Sequence, residues 1–187
     1  FKDFDHVRKV NNSKVGVNLA TLLRQKAKVR VLKWWLHGFR HIYTQKPVNS
    51  AGDMMGIKIR VPGVPVYVET FKLLGAVPVS IPWTEVYTAL QTGVVNACEA
   101  PLTGAIASKF DEVTKFAIKT GHIYTGSFLV MNDNFHQKMT ASHKQIIGDA
   151  AEEAEKWLYT KLASQVQEDE KTLVTRGMKV INPDLRS

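Results

Sequence analysis

From residue 57 to residue 115, short apolar runs alternate with helix-like runs, and three of the short runs stop at a proline. "IKIRVPG" (57–63) interleaves Ile57, Ile59 and Val61 with Lys58 and Arg60, the period-2 pattern of a strand with one buried face. Pro62 bars a central ladder from continuing, and Gly63 frees the backbone to turn. "VPVYVETFKLLGA" then reads as a helix that starts near Pro65 and stops at Gly75. "VPVSIP" is a further strand. "WTEVYTALQTGVV" is a helix with Thr84 as its cap, and "VNACEAP" is a strand ending at Pro101. "LTGAIASKFDEVTK" is helical. This alternation is what a sheet with helices packed on it requires, so the expected fold class is α/β.

The flanks are simpler. Residues 1–28 suit two short helices broken near Asn11-Asn12-Ser13, with Ser13 as the second N-cap. "VRVLKWW" is a strand, Gly38 a turn, and "HIYT" a second extended piece. The loop "QKPVNSAGDMMG" ends in a short helical turn capped by Ser50. After residue 115, "FAIKTGHIYTGSFLVM" is extended and "NDNFHQKM" a short helix. Ser142 and Gln145 have capping-box spacing and open a helix to about Thr175, long enough to span more than one lobe. "MKVINP" is a closing strand.

The formal net charge of +8 suggests nucleic acid or a membrane surface until it is located. Residues 1–46 hold eleven Lys/Arg against two Asp/Glu, and residues 47–187 hold fourteen against fifteen, so the basicity belongs to the first quarter. There it is broken up by apolar residues, as in "RQKAKVRVLKWWLHGFR", and no nucleic-acid motif accompanies it. No run approaches the ~18 apolar residues of a membrane span. The opening "FKDFDHVRK" lacks the apolar segment of a signal peptide, which leaves export open. The single cysteine, Cys98, rules out an intramolecular disulfide.

Catalytic signatures are thin. There is no phosphate loop, nucleophile elbow, HExxH or paired CxxC. Cys98 with Glu99 beside it is a possible nucleophile, but adjacent strand residues point to opposite faces. A lone cysteine among small residues is more often packed in a core. His37 and His41 straddle the expected turn without metal-ligand spacing. The arginines lead further. Arg60 ends a strand, Arg40 follows Gly38, and ligands of open α/β sheets gather beyond the carboxyl ends of strands. A guanidinium there can grip a carboxylate bidentately. Trp83 at a strand-to-helix junction can wall the same cleft, and His122 can donate to the same anion. Residue by residue, the competing description is a surface Arg60, a core Trp83 and a satisfied His122.

The stretch "GIKIRVPGVPVYVETFKLLGAVPVSIPWTEVYTALQTGVVNACEAP" resembles the substrate-binding proteins of tripartite ATP-independent periplasmic (TRAP) transporters, the DctP family. "WWLHGFRHIYT" before it and "SKFDEVTKFAIKTGH" after it are similar to the family in the same order. The resemblance implies a periplasmic-binding-protein-like, type II-like α/β fold of two lobes with a long helix crossing between them. It implies a monomeric, non-enzymatic periplasmic protein without cofactor or metal, which captures an organic acid and delivers it to TRAP permease membrane subunits. Arg60 matches the family arginine that pairs with the substrate carboxylate, Arg40 a second basic position, Trp83 the aromatic that packs on the ligand, and His122 a histidine near the carboxylate. Glu99 lies in the segment similar to Val-Val-Asp-Gly-x-Glu-Asn and joins the expected substrate-binding set. Ala100 replaces the asparagine there, so the polar lining differs. The chain begins after the family's first βα units and stops early at "NPDLRS", so the first lobe is expected to be incomplete. The implied division is 1–37 as a remnant of lobe 1, 38–125 as lobe 2, and 126–187 as a lobe 1 remnant with the inter-lobe helix. The alternatives are a basic nucleic-acid-binding α/β module and an α/β enzyme using Cys98.

Overall fold

The computed structural model describes residues 1–183, so most of the "NPDLRS" expectation lies outside the described residues. The chain divides into two compact units, residues 1–38 with 124–164, and residues 39–123 with 165 onward. The last of these segments was expected with the first lobe. It belongs to the second unit because its strand β7 (Lys179–Ile181) pairs in parallel with β5 (Phe116–Ile118).

In the first unit, α1 (Phe4–Asn11) and α2 (Lys14–Ala27) form a helical hairpin, and the Ser13 side chain caps α2 by accepting from the Val15 amide. Gly16 is buried where α2 turns away from α1, with an added Cβ only 1.9 Å from the Asn11 carbonyl oxygen. The leading half of β1 (Val29–Thr44) pairs with β6 (Tyr124–Asn132), and α6 (Asp133–Lys138) follows directly. Residues 141–164 of α7 (Ala141–Thr175) complete the unit. Lys33 pairs with Glu155 at 3.3 Å, Arg30 pairs with Asp133 at 2.7 Å, and the Arg8 guanidinium lies 4.6 Å from the Tyr159 ring centroid.

The second unit is built on strands in the order β3-β2-β4-β1-β5-β7. β2 (Lys58–Val61) runs parallel to β3 (Val77–Ser80) and to β4 (Ala97–Pro101), while β1 is antiparallel to β4 and β5. Pro78 is tolerated because β3 is an edge strand. Side chains alternate across the sheet as period 2 demands. Tyr43, Cys98 and Ala117 enter one buried cluster with Val86 and Leu90 of α4 (Val86–Gln91). Ile42, Ala97 and Ile118 enter another with Phe71 of α3 (Pro65–Leu73). Helices therefore cover both faces, and the carboxyl ends of β2, β3 and β4 lie side by side.

Several local expectations are corrected. Gly38 makes no turn: β1 runs through it as one sixteen-residue strand, and its φ of 158° is extended backbone. Thr84 does not cap α4; a 3-10 turn, Trp83–Glu85, comes first and has no side-chain cap. Lys109, left-handed at φ 54°, splits the expected helix into α5 (Leu102–Ala107) and a 3-10 turn, Phe110–Glu112. Thr140 caps α7 by accepting from the His143 amide at 3.2 Å, so Ser142 lies inside the helix. The long extended run after residue 115 is interrupted between β5 and β6.

Gly16→Ala should destabilise the chain by about 2 kcal/mol or more, since the methyl meets backbone rather than a yielding side chain. Urea unfolding would measure this, and an unchanged midpoint would contradict the described hairpin.

Candidate functional site

β1 and β4 set the first half of the site. Their antiparallel register places Ile42 opposite Glu99 and Arg40 opposite Pro101, so Arg40 and Glu99 emerge on the same face. Both are buried, Glu99 completely. Arg40 Nη2 donates to Glu99 Oε1 at 2.7 Å and to the Glu99 carbonyl oxygen at 2.9 Å, and Nε donates to the other carboxylate oxygen. The guanidinium lies 5.1 Å from the Tyr67 ring centroid. His122 Nε2 is 3.5 Å from the Glu99 carboxylate, while Nδ1 is 2.6 Å from Thr120 Oγ1 and the ring meets Phe71 edge-on at 5.1 Å. Arg40 and Glu99 thus form a buried ion pair with His122 beside it, its Nε2 facing the carboxylate without a hydrogen bond.

Arg60 belongs to the other face. It sits opposite Cys98 on β4 and Val79 on β3 in parallel ladders, which aims it to the Tyr43–Cys98 side. It is only 4% exposed. Nε donates to the Ile81 carbonyl at 2.8 Å, and Nη1 has no hydrogen-bond partner. The guanidinium carbon lies 5.4 Å from the ring centroid of Trp83, itself 42% exposed and tilted against Phe110. Burial pulls the Arg60 pKa down, and the negative charge of Glu99 opposes that shift. Such a guanidinium is anchored at one nitrogen and has donors left for a ligand.

The five expected residues therefore fall into two groups, Arg40–Glu99–His122 and Arg60–Trp83, on opposite faces of the sheet. Sequence reading missed the Ile81 carbonyl and Thr120. Thr120, two residues before His122, had a signal in its spacing; the carbonyl of Ile81 had none. Cys98 is completely buried, and burial followed by the charge of Glu99 pushes its thiol pKa well up, the opposite of an activated nucleophile. His41 accepts from the Gly121 amide at 3.2 Å; burial chiefly, with His122 and Lys119, lowers its pKa to about 4. His37 lies 3.5 Å from Ser127. No group of three or more His, Cys, Asp or Glu side chains could hold a metal among the described residues.

The family model for bacterial extracellular solute-binding protein, family 7 (DctP), matches residues 1–186. The sialic acid-binding periplasmic protein SiaP of Vibrio cholerae is 33% identical over 98% of this chain and 57% of its own length. The 2,3-diketo-L-gulonate-binding periplasmic protein YiaO of Escherichia coli is 32% identical over 97% of this chain and 55% of its own. A TRAP periplasmic solute-binding protein of Roseobacter denitrificans, solved with bound L-galactonate, superposes with a TM-score of 0.92 at 29% identity, covering 98% of this chain and 61% of that one. The chain spans little more than half the length of these curated relatives. Its fold, its ordered motifs and the match across nearly every residue agree: this chain belongs to the DctP family of bacterial extracellular solute-binding proteins.

Proposed function

We propose that this chain carries the carboxylate-binding part of a periplasmic protein that captures an organic acid and hands it to TRAP permease membrane subunits. One observation carries the reading. Arg60 is buried, fixed through Nε to the Ile81 carbonyl, and has an unpartnered Nη1 beside Trp83. A buried cation with unused donors costs free energy that a bound carboxylate offsets through short, charge-assisted hydrogen bonds. Trp83 supplies an apolar wall for the body of the acid. The Arg40–Glu99–His122 cluster holds the neighbouring strand ends in place, so that Arg60 meets the ligand on a rigid edge. Residues 38–125 form the body of the binding lobe. The chain works as a monomer, without cofactor or nucleic acid, and as a carrier rather than an enzyme; the relatives named above bind sugar acids or sialic acid.

Arg60→Ala should weaken binding of the preferred acid roughly 100-fold in titration calorimetry, while Arg60→Lys keeps the charge, loses the planar fork, and falls between. The acid is found first by a thermal-shift screen of monocarboxylates, dicarboxylates and sugar acids, since a ligand of the folded state raises Tm by mass action. Undiminished affinity in folded Arg60→Ala would refute the assignment. A second outcome concerns Cys98. Iodoacetamide at pH 8 should leave the native thiol unmodified and label it fully in urea, and rapid native labelling with loss of a hydrolytic activity would restore the enzyme reading.

A further inference from the structure

Between β5 and β6 the chain runs through residues 119–123, the last stretch of the second unit before it passes into the first. The Lys119 amide donates to the Ile181 carbonyl of β7 at 2.8 Å, and from there the segment is tied to two adjacent residues of β1. The Arg40 amide donates to the Ile123 carbonyl at 2.8 Å, and Thr120 Oγ1 donates to the Arg40 carbonyl at 3.4 Å. The Gly121 amide donates to His41 Nδ1 at 3.2 Å. Gly121 is left-handed, at φ 55°, a conformation in which a side chain would be strained. Of these bonds, only the one to His41 depends on a proton. Nδ1 accepts while the ring is neutral with its hydrogen on Nε2, and a protonated Nδ1 is a donor facing a donor.

The surroundings of His41 favour the neutral ring. Burial acts first, the charges of His122 and Lys119 act in the same direction, and Glu170 of α7 is the opposing acid. Glu170 is already paired with Lys119 at 2.7 Å, and Ala100, opposite His41 on β4, brings no counter-charge. The ring therefore takes up a proton at about pH 4 instead of its ordinary 6.5. We propose that His41 is a pH-sensitive strap, which fastens residues 119–123 to β1 while neutral and releases them when protonated. The segment carries Thr120 and His122. His122 Nδ1 lies 2.6 Å from Thr120 Oγ1 and Nε2 faces Glu99 at 3.5 Å, so release withdraws His122 from the Arg40–Glu99 pair. The unfolded chain binds the proton near pH 6.5 and the native chain does not, so the contribution of the strap is whole above that pH. It is lost as the pH falls towards 4. None of this depends on which acid Arg60 receives.

Proton–nitrogen NMR of the 187-residue chain during acidification tests this, with the Gly121 amide as reporter and the amides of β2 and β4 as reference. His41→Asn is the control, because its Oδ1 stands close to the place of Nδ1 and accepts without titrating. In the wild type the Gly121 signal should shift or vanish ahead of the reference amides. In His41→Asn it should persist to a pH about one unit lower. Urea unfolding at neutral pH and again near pH 5 gives a second readout. On that change the folding equilibrium constant of the wild type should fall about tenfold more than that of the variant. A wild-type Gly121 amide that merely follows the reference amides overturns the inference, and so does an equal response in folded His41→Asn. Equal losses of stability in the two proteins overturn it as well. If the variant does not fold, the comparison of Gly121 with the reference amides in the wild type decides alone.

Discussion

The Arg40–Glu99 pair fixes where everything else at the strand ends can go. The two residues are 59 positions apart in sequence, and only the antiparallel register of β1 against β4 brings them onto one face. β1 is antiparallel to both of its neighbours in the second unit, so its alignment is not dictated by the βα repeats on its far side. A one-residue slip would turn Arg40 into the opposite cluster and leave Glu99 buried without a partner. A buried ion pair adds little net stability against an apolar substitute, but breaking one by removing a partner costs about 3–5 kcal/mol. The pair therefore specifies register more than it contributes stability.

With Arg40 satisfied internally, Arg60 is left to deal with its own desolvation. It is held by a single carbonyl and bordered by an aromatic ring, in a place where water reaches it poorly. Burying a guanidinium with an unused donor is costly, and under the proposed function an arriving carboxylate relieves that cost. The sheet thus separates two jobs that look identical in sequence. One arginine on one face is paired with Glu99, and the one on the other face has an Nη1 without a hydrogen-bond partner.

Part of the basic first quarter of the chain finds its partners within the fold. Arg8 pairs with Asp5, Arg30 with Asp133, Lys33 with Glu152 and Glu155, and Arg40 with Glu99. Most of those acids come from much later in the chain. Four of the eleven Lys/Arg of that segment are thus paired, and the excess of positive charge remains.

Periodicity and proline placement were enough to read the α/β class, the strand ends at Val61 and Pro101, the Ser13 cap and the helix from Pro65 to the Gly75 turn, because each depends on a few neighbouring residues. The family motifs were likewise legible, and they singled out Arg40, Arg60, Trp83, Glu99 and His122. Tertiary structure decided what those residues do to one another. No local signal shows that β1 passes straight through Gly38 or that the last strand joins the second unit, since strand pairing with distant segments overrides local propensity there; the Thr140 cap on α7, by contrast, is local and lay two residues before the expected Ser142. Nor could sequence say that Arg40 is consumed by Glu99 while Arg60 keeps a free nitrogen. The side chain of a strand residue takes its face from register, and register is set by pairing across the sheet.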